Sequence, residues 1–134
     1  MKKESKKYTV RKIKDAQEKL YSQQIYLSDT DRITYSYKRD YTRNVSEVNN
    51  VSYEIRIKEK WLTIVRYDSS HGYLHRHLVI SADNPSDTPS RIGVIQKGNH
   101  PKWLTWAIND IKNRYLDYKR GFLRRSKISN IDIE

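Results

Sequence analysis

The chain has 134 residues, 27 Lys+Arg against 16 Asp+Glu, a formal net charge of +11 at pH 7, and no cysteine. That length suits a single domain, 1–134, with a modest core that needs no staples. Without cysteine there is no disulfide and no thiolate metal site. No apolar run approaches the roughly 18 residues of a membrane span, and the charged N-terminus lacks the apolar segment of a secretion signal. The expected setting is therefore cytoplasmic, with no membrane partner, and the basic surplus points to a polyanion.

Residues 1–9 read as a basic arm, 10–127 as the folded core and 128–134 as a tail. Over 10–27, Val10, Ile13, Ala16 and Leu20 recur at helical spacing and predict an amphipathic helix. Its polar face carries Arg11, Lys12, Lys14 and Lys19. Ser28–Asp31 is a polar connection. Ile33, Tyr35 and Tyr37 alternate with polar residues over 32–38, which predicts a half-buried strand. Residues 39–50 show no period and read as a loop.

Alternation returns at Val51, Tyr53, Ile55 and Ile57, and a Lys58-Glu59-Lys60 turn leads into a β-rich run, 61–67. A strand over 73–80 follows, and three such strands with short turns make an antiparallel meander. Residues 81–90, with two prolines and two aspartates, read as a loop, and 91–97 as a short edge strand. Asn99 and Pro101 then open a long helix. Its apolar face is Leu104, Ala107, Ile108, Ile111, Tyr115, Tyr118 and Phe122. The predicted class is α+β: an antiparallel meander with an N-terminal helix and a long C-terminal helix packed on it.

Three of the four histidines lie in one stretch, Val65-Arg66-Tyr67-Asp68-Ser69-Ser70-His71-Gly72-Tyr73-Leu74-His75-Arg76-His77. It reads as strand, turn, strand, with Gly72 supplying the positive φ of the turn. Period 2 puts Tyr73, His75 and His77 on one face and Leu74 and Arg76 on the other. Histidine titrates near neutrality and serves as acid or base, and arginine holds phosphate in a bidentate manner. The candidate catalytic set is His71, His75, His77, Arg66, Tyr67 and Asp68. Lys112, Arg114, Lys119, Arg120, Arg124 and Arg125 of the last helix, with Arg11 and Lys12, form the candidate nucleic-acid contact set.

The same residues carry a resemblance. A strand ending Val-Arg-Tyr-Asp, then Ser-Ser-His-Gly, then a His-bearing strand and a helix with Trp-Ala-Ile-Asn-Asp-Ile-Lys-Asn-Arg-Tyr resembles small prokaryotic proteins common in archaea. The pattern is similar to that of TumE-type toxins of toxin–antitoxin modules, over residues 51–122. Those toxins have a longer run between the aspartate and the histidine pair. The resemblance implies a small sheet-plus-helix protein acting on RNA, with a small acidic antitoxin as partner.

Two chemical readings of the hairpin stay open. One is metal-free RNA cleavage by the histidines; the other is a metal site, from His75-x-His77 with His71 or Asp68. The cleavage reading is preferred, with no metal and no cofactor. A wider alternative is a non-catalytic basic binding or inhibitor protein of a mobile element or virus. Four scattered glycines build no phosphate-cradling loop, and Ser69, Ser70 and His71, adjacent on a turn, make no triad.

Overall fold

The computed structural model describes residues 19–70, 72–84, 87–91 and 99–128. Six strands form one antiparallel sheet in sequence order: β1 (Lys19–Tyr26), β2 (Asp31–Arg39), β3 (Val45–Ile57), β4 (Lys60–Asp68), β5 (His75–Val79) and β6 (Asp87–Arg91). One helix, α1 (His100–Ser126), packs across β2, β3 and β4. The fold is α+β, a meander with the long C-terminal helix on one face.

Period 2 divides the sheet sharply. One cross-strand row reads Ile25, Ile33, Tyr53, Val65, Leu78, and its neighbour reads Gln24, Thr34, Ser52, Arg66, His77. Adjacent rows point to opposite sides. The apolar row faces α1, where Ile33, Tyr53, Val65, Trp103, Ala107 and Ile111 are fully buried. The polar row faces away, and among the described residues no helix covers it.

Several expectations are corrected. Residues 19–26, assigned to an N-terminal helix, are an edge strand, because Tyr21, Ile25 and Tyr26 favour strands and pair with β2; residues 1–18, with Arg11 and Lys12, lie outside the described residues. Residues 45–50, read as loop, extend β3. Register shifts at Ser36/Tyr37 and Lys38/Arg39 break their alternation, so Val45 and Val48 do not show a strand period. A third shift, between Tyr53 and Glu54, lets the consecutive Ile64 and Val65 both be buried and turns Leu62 away from the Arg66 face. Residues 87–90, read as loop, are an edge strand that tolerates Pro89 because an edge position need not donate to a neighbour. Only Arg91 of the strand expected at 91–97 is described.

α1 begins and ends as its sequence directs. The Asn99 side chain accepts from the Lys102 amide at 3.4 Å, and Pro101 occupies the first turn. At the other end Lys127 takes a left-handed φ of 58°, and the amides of Lys127 and Ile128 bond to Arg124 and Leu123 at 3.2 and 2.9 Å. This is a Schellman closure made without glycine.

Two buried carboxylates tie α1 to the sheet. Asp31, at the start of β2, accepts from Tyr53 and Ser28 at 2.5 Å each and pairs with Lys119 of α1 at 3.1 Å. Asp110, on α1, accepts from Tyr67 of β4. Burial alone would raise the Asp31 pKa, but the bonds from Ser28, Tyr53 and Lys119 more than offset it and hold the carboxyl below its ordinary 3.8. A carboxyl depressed in the folded state stabilises the fold above its unfolded value and loses that contribution as pH falls through the folded one. Asp31→Asn should therefore cost about 1–3 kcal/mol at pH 7, with the gap to wild type closing below about pH 4. Urea unfolding of both proteins across that range checks this; a gap that stays constant would contradict it.

Candidate functional site

The outward face of β4 and β5 gathers four of the predicted residues. Register sets Arg66 opposite His77 and Asp68 opposite His75. Asp68 Oδ2 lies 3.3 Å from His77 Nε2 and 3.4 Å from Arg66 Nη1. Its Oδ1 accepts from the Ser70 amide at 3.2 Å and the Ser70 hydroxyl at 2.8 Å. Burial pushes the Asp68 pKa up, while both Ser70 donors, His77 and Arg66 pull it down, and the net direction is down. Asp68 is thus an anion at neutral pH, aimed at one imidazole and one guanidinium.

The rings form a ladder along β5. Tyr73 and His75 have centroids 4.2 Å apart, and His75 and His77 6.2 Å apart. The Arg66 side chain is 40% exposed, against 17% for His77 and 13% for Asp68. Arg66 is the member of the cluster that reaches solvent. Gly72, at φ +83°, turns the chain between the strands. His71 lies outside the described residues.

Tyr67 does not join this cluster. As the neighbour of Arg66 in a strand it points the other way, fully buried under α1. Its hydroxyl donates to Asp110 Oδ2, which also accepts from Tyr118 at 2.6 Å. Arg76 shares that face and donates to the Tyr118 hydroxyl at 3.3 Å. Burial, then the bond to Asp110, push the Tyr67 phenol far above the ordinary tyrosine range, so it is a fixed donor. Trp106 meets its ring edge-on at 5.9 Å.

The basic residues of α1 divide as well. Lys119 is turned inward to Asp31 and only 16% exposed. Arg114 reaches Asp110 at 3.5 Å and lies over the Tyr118 ring, and Arg125 donates to the Ile80 carbonyl at 2.6 Å. Arg120 pairs on the surface with Asp117 at 2.7 Å. Lys112 and Arg124 are exposed. Among the described residues no three His, Asp or Glu gather as a metal-binding group, and no helix is long and apolar enough to cross a membrane.

A family described as a domain of unknown function, DUF7718, matches residues 6–128. The chain belongs to this family. No curated protein matches it, and no solved structure does. The match in this DUF7718 member takes in both the outward histidine cluster and the inward Asp110 network.

Sequence reasoning missed Asp31, Asp110 and a third anchor, Ser69 with His100. The Ser69 hydroxyl accepts from the Val48 amide at 2.9 Å and meets His100 Nδ1 at 3.1 Å, docking the start of α1 on the sheet. Burial lowers the His100 pKa, against an opposing pull from Glu47. One signal was available: Asp110 lies three residues after Ala107 and beside Ile111, inside the apolar stripe. Asp31 and Ser69 carry no such mark.

The two faces predict different responses to substitution. Tyr67→Phe removes a donor from a buried carboxylate and should cost about 1–3 kcal/mol. His77→Ala removes one contact of a carboxylate that keeps both Ser70 donors and Arg66, and should cost less than about 1 kcal/mol. Urea midpoints of both variants test this; a reversed order would contradict the division of the sheet.

Proposed function

We propose that the protein binds RNA on the uncovered face of its sheet and cleaves it without a metal, as a toxin-like ribonuclease. The observation that carries this reading is the pair of imidazoles 6.2 Å apart, one with its Nε2 3.3 Å from Asp68 Oδ2, with Arg66 across the strand. Asp68 on Nε2 favours the tautomer with its proton there, which makes Nδ1 the basic nitrogen of His77. That nitrogen takes the proton of an RNA 2′-hydroxyl. The 2′-oxygen forms its bond to the adjacent phosphorus, and the bond from phosphorus to the 5′-oxygen breaks. His75, protonated, donates to that leaving oxygen. Arg66 neutralises the charge gathering on the non-bridging oxygens. The products are a 2′,3′-cyclic phosphate and a 5′-hydroxyl.

The likeness of the hairpin to TumE-type toxins supports the same reading, and it implies a cytoplasmic setting beside a small acidic antitoxin. A second reading is a non-catalytic basic binding or inhibitor protein. It is favoured by the way Arg66, Asp68 and His77 satisfy one another, with His77 and Asp68 mostly buried.

Labelled total RNA incubated with the purified protein, with and without EDTA, decides between them. The proposal expects cleavage that survives EDTA, spares 2′-deoxy substrate, and falls about 10²- to 10⁴-fold in His75→Ala and in His77→Ala. Full activity in both variants would reject the site, and loss with EDTA would move the histidines to a metal. A salt-sensitive gel shift without cleavage would leave the binding reading.

A further inference from the structure

The side of the sheet that carries α1 is not fully covered by it. Where β1 begins and β2 turns into β3, a cavity of about 300 Å³ is lined by Lys19, Tyr21, Arg39, Asp40, Tyr41 and Arg43. Three cations face one carboxylate there. Asp40 Oδ1 already accepts from the amides of Thr42 and Asn44 at 2.9 and 3.3 Å and from the Thr42 hydroxyl. The carboxylate closes the turn, and the cavity keeps a positive surplus.

One wall is Tyr21, the outer ring of an aromatic stack. Tyr35 and Tyr37 lie 6.1 Å apart at 13°, and Tyr37 and Tyr21 5.6 Å apart at 15°. Tyr37 is 7% exposed, while Tyr21, the end of the stack, is 39% exposed. Arg39 sits 5.3 Å from the Tyr21 ring and 5.4 Å from the Tyr37 ring. Its Nε is buried with no hydrogen-bond partner among the described residues. An open aromatic end beside a cluster of cations is the pairing that holds a base by stacking and its phosphate by charge-assisted hydrogen bonds. A cavity of this size is at the small end of ligand pockets, which suits one nucleotide.

We propose that this cavity is a nucleotide site, taking one nucleobase on Tyr21 and the attached 5′-phosphate on Lys19, Arg39 and Arg43. The ligand is either a free nucleoside monophosphate or the phosphorylated end of a strand. The site lies on the opposite face from His75 and His77 and stands independently of any cleavage there.

Calorimetric titration of the full chain tests it, with adenosine 5′-monophosphate, adenosine, inorganic phosphate and a 5′-phosphorylated oligoadenylate as separate ligands. The monophosphate should bind at least tenfold tighter than adenosine or phosphate alone. Tyr21→Ala and Lys19→Ala should each weaken it about tenfold. Arg43→Gly should do the same, since glycine suits the positive φ of 68° at that position and the turn survives. Tyr21→Phe should keep the affinity, because the ring remains, and His75→Ala should leave it unchanged. Oligonucleotide affinity that falls in Tyr21→Ala and Lys19→Ala but not in His75→Ala would identify a strand end, and such dependence for the monophosphate alone a free nucleotide. No binding at millimolar ligand would overturn the proposal. So would affinity that Tyr21→Ala and Lys19→Ala leave intact, or that His75→Ala removes.

Discussion

Successive side chains of a strand point to opposite sides, so Arg66 and Tyr67, neighbours in the chain, belong to different chemistry. Tyr67 goes under α1, where its hydroxyl serves Asp110. Arg66 goes outward, where it meets Asp68 and His77. Away from the register shifts the sheet obeys the same division. A row of Ile25, Ile33, Tyr53, Val65 and Leu78 gives α1 an apolar bed, and the row beside it gives the other face serine, threonine, glutamine, arginine and histidine. Slipping one strand by a single residue would exchange the two sets, so burial of the apolar row fixes the register that assembles the outward cluster.

Charge in this chain is partly spent inside. A helix laid on a sheet needs only apolar contact, yet α1 also brings Lys119 to Asp31 and sets Asp110 between Tyr67 and Tyr118. A buried carboxylate is costly unless each oxygen finds donors. Asp31 finds Tyr53, Ser28 and Lys119. Asp110 finds two phenols, with Arg114 at its rim. These contacts tie α1 to β2 at Asp31 and to β4 at Tyr67. The formal net charge of +11 is thus an incomplete guide to the surface. Some of the cations that make it up are anchors, and others, such as Lys112 and Arg124, face water.

Much of this was legible in the sequence. The last helix, with its Asn99 cap, Pro101 and apolar face, follows from 3.6-residue periodicity. The parity of His75 and His77 against Arg76, and the turn at Gly72, follow from period 2. Three things were not legible, for physical reasons. Residues 19–26 have too few apolar positions to separate period 3.6 from period 2, and pairing with β2 decides the matter. Extra residues at Ser46 and Asn49 of β3 and at Ile64 of β4 break the alternation, which hid half of β3. Hydrogen bonds between elements far apart in the chain, such as Ser69 with His100 and Asp31 with Lys119, have no local pattern.

The central claim is that the outward face of β4 and β5 is where RNA meets the protein. The direct measurement is an NMR titration of the full-length labelled chain with a short single-stranded RNA carrying 2′-deoxy sugars at its cleavable positions. The account predicts shift changes at Arg66, Asp68, His75 and His77, imidazole signals included, with the buried Tyr67 and Asp110 unmoved. Changes confined to Lys112, Arg120 and Arg124 on α1, with β4 and β5 silent, would contradict it.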